Sequence, residues 1–256
     1  MSTALVTGAS TGIGRELALL FARNGYDLVL VARNEAALAE VAQRAAAFGR
    51  STHVFSADLG EHLAAERLHE RLTAEGITVD VLVNNAGAGA RGRFDHIPRE
   101  RQLSMIQLNV TSLTALTHLF LPGMLTRNAG GILNVASTAA FQAGPLMTVY
   151  YATKAYVLSF TEGLAEELSA TGLKITCLAP GPTQTEFARA AGMTTARLFR
   201  GEVMSAADVA KAGYDGWREG KRLVIPGVRN RLGTLIVRLA PRAMTARIVK
   251  GLNDDA

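Results

Sequence analysis

The chain carries one cysteine, Cys177, in 256 residues. A lone thiol excludes an intrachain disulfide framework and agrees with a reducing compartment. Cys177 lies in the apolar run KITCLAP and reads as a small buried hydrophobe. Proline is scarce, with 7 residues against 25 glycines, which excludes a collagen-like or Pro-rich disordered chain. MSTALVTGAS leads straight into a strand-like segment, so no signal peptide is expected. No apolar stretch reaches the roughly 18 residues of a membrane-spanning helix, so none is expected. His53, His62, His69, His96 and His118 show no metal-ligand spacing, so no metal is expected.

Charge of one sign is also sparse over most of the chain. The net charge is +5, but from Arg229 onward six basic residues and two acidic ones contribute +4, leaving +1 for the rest. So neutral a body does not suit a nucleic-acid binder, and no nucleic-acid partner is expected. What is present is apolar: 48% of the residues are hydrophobic, enough at this length for one domain with a sizeable core. TALVTG, DLVLVAR, THVFSADL, VDVLVNNAG, GGILNVAS, LKITCLAPG and KRLVIPG read as strands. Helical patterns lie between most of them, the longest being YYATKAYVLSFTEGLAEELSATG. Near-continuous β-branched and leucine strands alternating with helices predict a parallel sheet covered on both faces. No repeat or linker divides the chain, so residues 1–228 read as one catalytic domain and 229–256 as a basic amphipathic extension.

The first strand ends in Gly8-Ala9-Ser10-Thr11-Gly12-Ile13-Gly14, which then opens a helix. Glycines let backbone approach a pyrophosphate, and a helix N-terminus supplies N–H groups and positive potential. The order is G-x-x-x-G-x-G, and the strand-to-helix context is the one a dinucleotide loop requires. The second strand ends at Arg33, where a carboxylate would select an unphosphorylated ribose. Arg33 and Arg15 are instead suited to a 2′-phosphate, which favours NADPH over NADH. Asp58, after the third strand, could accept from an adenine amino group, cap the next helix, or do both.

Tyr150 and Lys154 are four residues apart in VYYATKAYVLSF, hence on one helix face. A phenol titrates near pH 10, and a neighbouring ammonium lowers that value, making a usable general acid or base. With Thr7-Gly8-Ala9-Ser10-Thr11-Gly12-Ile13-Gly14, Asn84-Asn85-Ala86-Gly87, Asn109, Ser137 and Pro180-Gly181, this pair resembles the short-chain dehydrogenase/reductase family, of the classical type. The resemblance runs to about residue 227 and implies a Rossmann-like, doubly wound parallel sheet of about seven strands with a nicotinamide cofactor. It implies Tyr150 as proton donor, Ser137 as second hydrogen-bond donor to the carbonyl, Lys154 on the nicotinamide ribose, and Asn109 holding a water in a proton path. It also sets Asn85, Ala86 and Gly87 against the cofactor, and Pro180, Gly181, Thr183 and Thr185 near the nicotinamide amide. Alongside these roles, Ser137 could cap a strand end, and Asn109 could bond locally within a kinked helix.

In such proteins, the segment matching residues 186–206 forms a lid over the substrate. Here it offers Phe187, Met193, Leu198, Phe199 and Met204, and Phe141, Gln142 and Met147 are expected to line the same pocket. The expected function is NADP(H)-dependent reduction of a carbonyl on a small to medium apolar substrate, or the reverse alcohol oxidation. A non-catalytic NADP(H)-binding sensor or scaffold is the alternative. The resemblance implies a homodimer or homotetramer. A cytoplasmic location is expected. The tail RNRLGTLIVRLAPRAMTARIVKGLN reads as two short amphipathic pieces broken at Pro241, suited to docking on an anionic membrane, to capping the substrate entrance, or to packing on its own domain or another subunit.

Overall fold

The structure is a computed structural model that describes residues 2–199 and 203–254. Its centre is a seven-stranded, all-parallel sheet. The strands are β1 (Thr3–Thr7), β2 (Asp27–Ala32), β3 (Thr52–Ser56), β4 (Val81–Asn84), β5 (Gly131–Val135), β6 (Lys174–Leu178) and, at the far edge, β9 (Leu223–Val224). They lie in the order β3-β2-β1-β4-β5-β6-β9. All seven strands expected from the sequence are in this sheet. β1, β2, β4 and β5 are buried along nearly their whole length because helices cover both faces.

One face is covered by α1 (Gly12–Arg23), α2 (Glu35–Ala46) and α8 (Ala206–Arg218), around Leu17, Phe21, Leu38, Val209 and Trp217. The other is covered by α3 (Ala64–Ala74), α5 (Leu113–Arg127) and α6 (Thr148–Glu167), around Leu68, Leu116, Phe120, Met124 and Ala165. The sequence pattern did not reveal α8, whose buried face sets Ala210, Gly213 and Gly216 among Val209, Tyr214 and Trp217. Those glycines admit Leu178 and Val224: a Cβ at Gly216 would fall 2.2 Å from Val224 Cγ2. A two-residue pair, β7 (Thr183–Gln184) with β8 (Met204–Ser205), also lay outside the pattern.

α4 (Arg99–Ile106) continues through a π-helical turn, Gln107–Ser112, into α5. The run Arg99–Arg127 spans 29 residues and is apolar enough by length and composition to cross a membrane, contrary to the expectation above. Met105, Leu116, Phe120 and Met124 of this run are buried in the fold, while Leu103, Ile106 and Leu125 are exposed. After β9, the chain forms α9 (Val228–Leu239) and α10 (Arg242–Asn253), separated at Pro241. The short helix α7 (Glu186–Ala190) leads into the segment expected to be a lid.

Candidate active site

Strand order reverses about β1: β2 lies on one side and β4 on the other, and their C-terminal ends part there to leave a crevice. A cleft of about 620 Å³ runs from this point along the sheet's C-terminal edge. Gly8, Ser10, Thr11, Gly12 and Ile13 form its first wall. Gly8 and Gly12 have φ of +63° and +56°, which side-chain-bearing residues rarely adopt. A Cβ at Gly12 would lie 3.0 Å from the Thr185 methyl, so backbone meets the opposite wall with no space to spare. Thr11, the residue before α1, makes no side-chain cap bond. Gly14 serves a different purpose: a Cβ there would fall 2.2 Å from Gly8 O, so it lets α1 close on the turn rather than lining the cleft.

Thr7 anchors this wall to the next strand. Its hydroxyl accepts from the Asn85 and Ala86 N–H groups, both at 3.0 Å, and donates to Val83 O at 3.2 Å. The Asn85 amide donates back to Thr7 O at 2.9 Å. Asn84 lies deeper, donating to Asn134 and Thr117. Sequence reading missed the part played by Thr7, which depends on β4 lying beside β1.

Arg33 and Asp58, the residues expected to meet an adenosine, both line the cleft. Arg33 Nη1 lies 3.6 Å from Asp58 Oδ2, an exposed pair that tethers the guanidinium loosely. Asp58 does not cap α3, whose preceding residue is Leu63; Asp58 Oδ1 instead accepts from Gly60 N–H at 2.8 Å within the turn. Arg15 does not line the cleft. One turn into α1, it points away and pairs with the neighbouring Glu16 at 3.0 Å.

Ser137, Tyr150 and Lys154 meet at the other end. Ser137 is extended and caps the short turn Thr138–Phe141 by accepting from Ala139 N–H at 3.1 Å. Its hydroxyl donates to Pro180 O at 3.3 Å and lies near enough to the Tyr150 phenol to affect its titration. Tyr150 and Lys154 face the same side, with Nζ 5.8 Å from the ring centre. Their electrostatics differ from expectation. Burial pushes the Tyr150 phenol above its ordinary value, while the Ser137 side chain pulls it down. Burial also pushes the Lys154 ammonium down to about 8. Desolvation opposes the charged form of each group and outweighs the attraction that i and i+4 spacing implies. Lys154 Nζ donates to Val135 O at 2.8 Å.

Asn109 sits in the π-helical turn and is fully buried. It stands outside the cleft lining, with Oδ1 accepting from Ala88 N–H and Nδ2 donating to Ala88 O and Thr153 Oγ1. Gly87 separates it from Lys154: a Cβ at Gly87 would lie 3.4 Å from both Asn109 Oδ1 and Lys154 Nζ. Pro180, Gly181, Thr183 and Thr185 complete the wall, with Thr185 capping α7 through Phe187 N–H.

Of the expected pocket residues, Met147 and Phe187 line the cleft, and the Phe187 ring sits 5.2 Å from that of Tyr150. Met193 and Leu198 also line it. Phe141 does not: it turns into a separate cluster with Val157, Leu158 and Cys177, because the turn capped by Ser137 directs it there. Met204 in β8 packs toward the sheet core beneath α8. The Phe199 side chain and Asp255, the tail's last acid, lie outside the described residues. Val249 and Leu252 of α10 line the cleft, the arrangement of a tail packed on its own domain at the substrate entrance, though no local pattern singled out these two residues. Asn253 fixes that return, accepting from Tyr151 Oη at 3.2 Å and donating to Pro145 O at 3.0 Å. Arg91 donates to its carbonyl at 3.0 Å.

The short-chain dehydrogenase family profile matches residues 2–195. A very-long-chain 3-oxoacyl-CoA reductase of Anas platyrhynchos is 36% identical over 193 residues, covering 73% of this chain and 61% of its own length. A probable oxidoreductase of Mycobacterium tuberculosis is 35% identical over 188 residues, covering 73% of this chain and 32% of its own. The chain thus spans between a third and three fifths of these relatives. Among solved structures, a short-chain dehydrogenase from Sphingobium yanoikuyae in complex with NADPH is 33% identical, has a TM-score of 0.83, and covers 93% of this chain and 94% of its own.

Proposed function

The chain belongs to the short-chain dehydrogenase/reductase family and is an oxidoreductase of the NAD(P)-dependent kind; from that premise we propose that it uses NADP(H) to reduce a carbonyl on an apolar substrate, or to oxidise the matching alcohol. The observation that carries this reading is the convergence of the Ser137 hydroxyl, the Tyr150 hydroxyl and the Lys154 ammonium at one end of a cleft whose other end is a glycine turn.

The cleft fits a dinucleotide. A side chain at Gly8 or Gly12 would fill the cradle, the N-terminus of α1 faces it, and Arg33 supplies a cation where a 2′-phosphate would lie. When bound, a nicotinamide supplies the hydride. The protein's own groups do the rest. The Tyr150 phenol, kept protonated by burial, donates its proton to the substrate oxygen. Ser137 donates a second hydrogen bond to that oxygen. Lys154 holds the ribose and lies next to the tyrosine ring. Asn109 acts by bracing the 88 backbone and Thr153, and thus the floor on which Lys154 rests.

Met147, Phe187, Met193, Leu198, Val249 and Leu252 give the substrate end an apolar wall. With the 3-oxoacyl-CoA reductase activity of the Anas platyrhynchos relative, this supports a substrate bearing a hydrocarbon chain or ring. Gln142 contributes one polar feature: its buried Oε1 has no partner and would accept from a hydroxyl or amide on the substrate. The test is a carbonyl panel with NADPH, run on the native protein and Tyr150→Phe. Turnover lost in the variant with NADPH binding kept supports the enzyme. Binding without turnover on every carbonyl would favour a non-catalytic cofactor-binding role.

A further inference from the structure

α9 has its polar side in and its apolar side out. Its one buried residue is Thr234, and Asn230 on the same side donates to Pro226 O at 2.7 Å. Helical spacing gathers Val228, Leu232, Leu235, Ile236 and Leu239 on the opposite side. All five are exposed, Ile236 at 64% and Leu239 at 82%. α10 turns Thr245, Val249 and Asn253 inward, while Met244, Ile248 and Leu252 form an outer stripe of its own. Eight of the fifteen exposed large apolar side chains among the described residues therefore lie on these two helices. An exposed apolar stripe along a helix, such as that of α9, marks a contact site. On the same two helices stand Arg229, Arg231, Arg238, Arg242, Arg247 and Lys250, none of them in an ion pair among the described residues.

We propose that α9 and α10 dock the protein on an anionic lipid surface, with the apolar stripes in the interface and the cations at headgroup level. Charge selects this occupant over a second copy of the chain. Self-contact across this face would set six unpaired cations against their equivalents, whereas anionic headgroups have the complementary sign. Docking also has a consequence for the cleft. Val249 of the inner stripe and Leu252 of the outer stripe of α10 both line the cleft, so a docked protein holds the apolar end of its cleft beside the lipid, placed to take a carbonyl substrate dissolved there. That consequence rests on the carbonyl-reduction reading; the docking does not.

The experiment is co-sedimentation of the full chain with vesicles of phosphatidylcholine alone, or mixed with phosphatidylglycerol, at low and high salt. The proposal expects binding to the mixed vesicles at least roughly tenfold tighter than to phosphatidylcholine, weakened by salt. A Leu235→Glu/Ile236→Glu variant should lose that binding and keep NADPH binding, since neither residue lines the cleft. Failure of the native chain to bind mixed vesicles overturns the proposal, as does equal binding by the double variant. So does sedimentation velocity showing self-association that the double variant abolishes while vesicles are ignored, which would make this face an interface between copies. Vesicle binding is read apart from turnover, so either reading can fail without the other.

Discussion

The two walls of the cleft are held in opposite ways. The wall from Thr7 to Lys154 is bound by buried polar pairs: Thr7 with Asn85, Asn84 with Asn134, Asn109 with Ala88 and Thr153, and Lys154 with Val135. The wall from Phe187 to Leu252 rests on apolar contact, tied down by Asn253 and Arg91. A polar network fixes one geometry, because each misplaced partner leaves a buried group unpaired. An apolar wall accepts exchange of side chains of similar volume. Under the proposed function, the polar wall would hold the cofactor and the apolar wall would vary with the substrate.

The largest expected effect falls on the polar wall. Tyr150→Phe should lower turnover by about 10²- to 10⁴-fold while NADPH binding, followed by fluorescence, stays within a few fold. A comparable loss of cofactor binding would mean that the tyrosine holds the wall rather than the proton. Arg33→Asp should weaken NADPH binding by about tenfold or more and leave NADH binding little changed or improved. Equal losses would remove Arg33 from the 2′-phosphate site.

Lys154 gives a test of stability. Burial lowers its folded value to about 8, against 10.5 for the free side chain. A base with a lowered folded value binds its proton more weakly when folded. The buried charge therefore costs stability below pH 8, and stability should rise with pH between about 8 and 10.5. Lys154→Met should abolish turnover yet flatten that rise and stabilise the protein at neutral pH by up to about 3 kcal/mol. Denaturant melts across this range would check it, and an unaltered slope would show that the charge is well solvated.

Smaller effects belong to the apolar wall. Asn253→Ala removes two side-chain bonds and should loosen α10 by about 1–3 kcal/mol. KM should rise more than kcat falls, and amide exchange should quicken in α10 but not in α6. If both helices respond alike, the walls are not separately held. The least effect is expected from Gln142→Leu, a shift of about tenfold or less in kcat/KM toward substrates lacking a hydrogen-bond donor.

Periodicity and punctuation revealed much of this. The glycine turn needed only its order after an apolar strand, and Tyr150 with Lys154 needed only helical spacing. The misses share a cause. Phe141, Arg15 and Met204 have the right chemistry and lie close in sequence to the cleft, but a cap at Ser137, a pairing with Glu16 and a two-stranded ladder turn them elsewhere. α8 escaped notice although Val209, Tyr214 and Trp217 repeat at helical spacing on its buried face, because Gly213 and Gly216 interrupt that face and read as helix breakers.

Local chemistry, readable in the chain itself, determined the parallel sheet, the glycine cradle and the shared face of Tyr150 and Lys154, because these depend on residue spacing along single elements. Tertiary structure alone decided the titration of that pair and the return of the tail. The pair's titration depends on how much water the surrounding walls remove. The tail's return depends on Asn253 meeting Tyr151 and Pro145, partners 102 and 108 residues away in the chain.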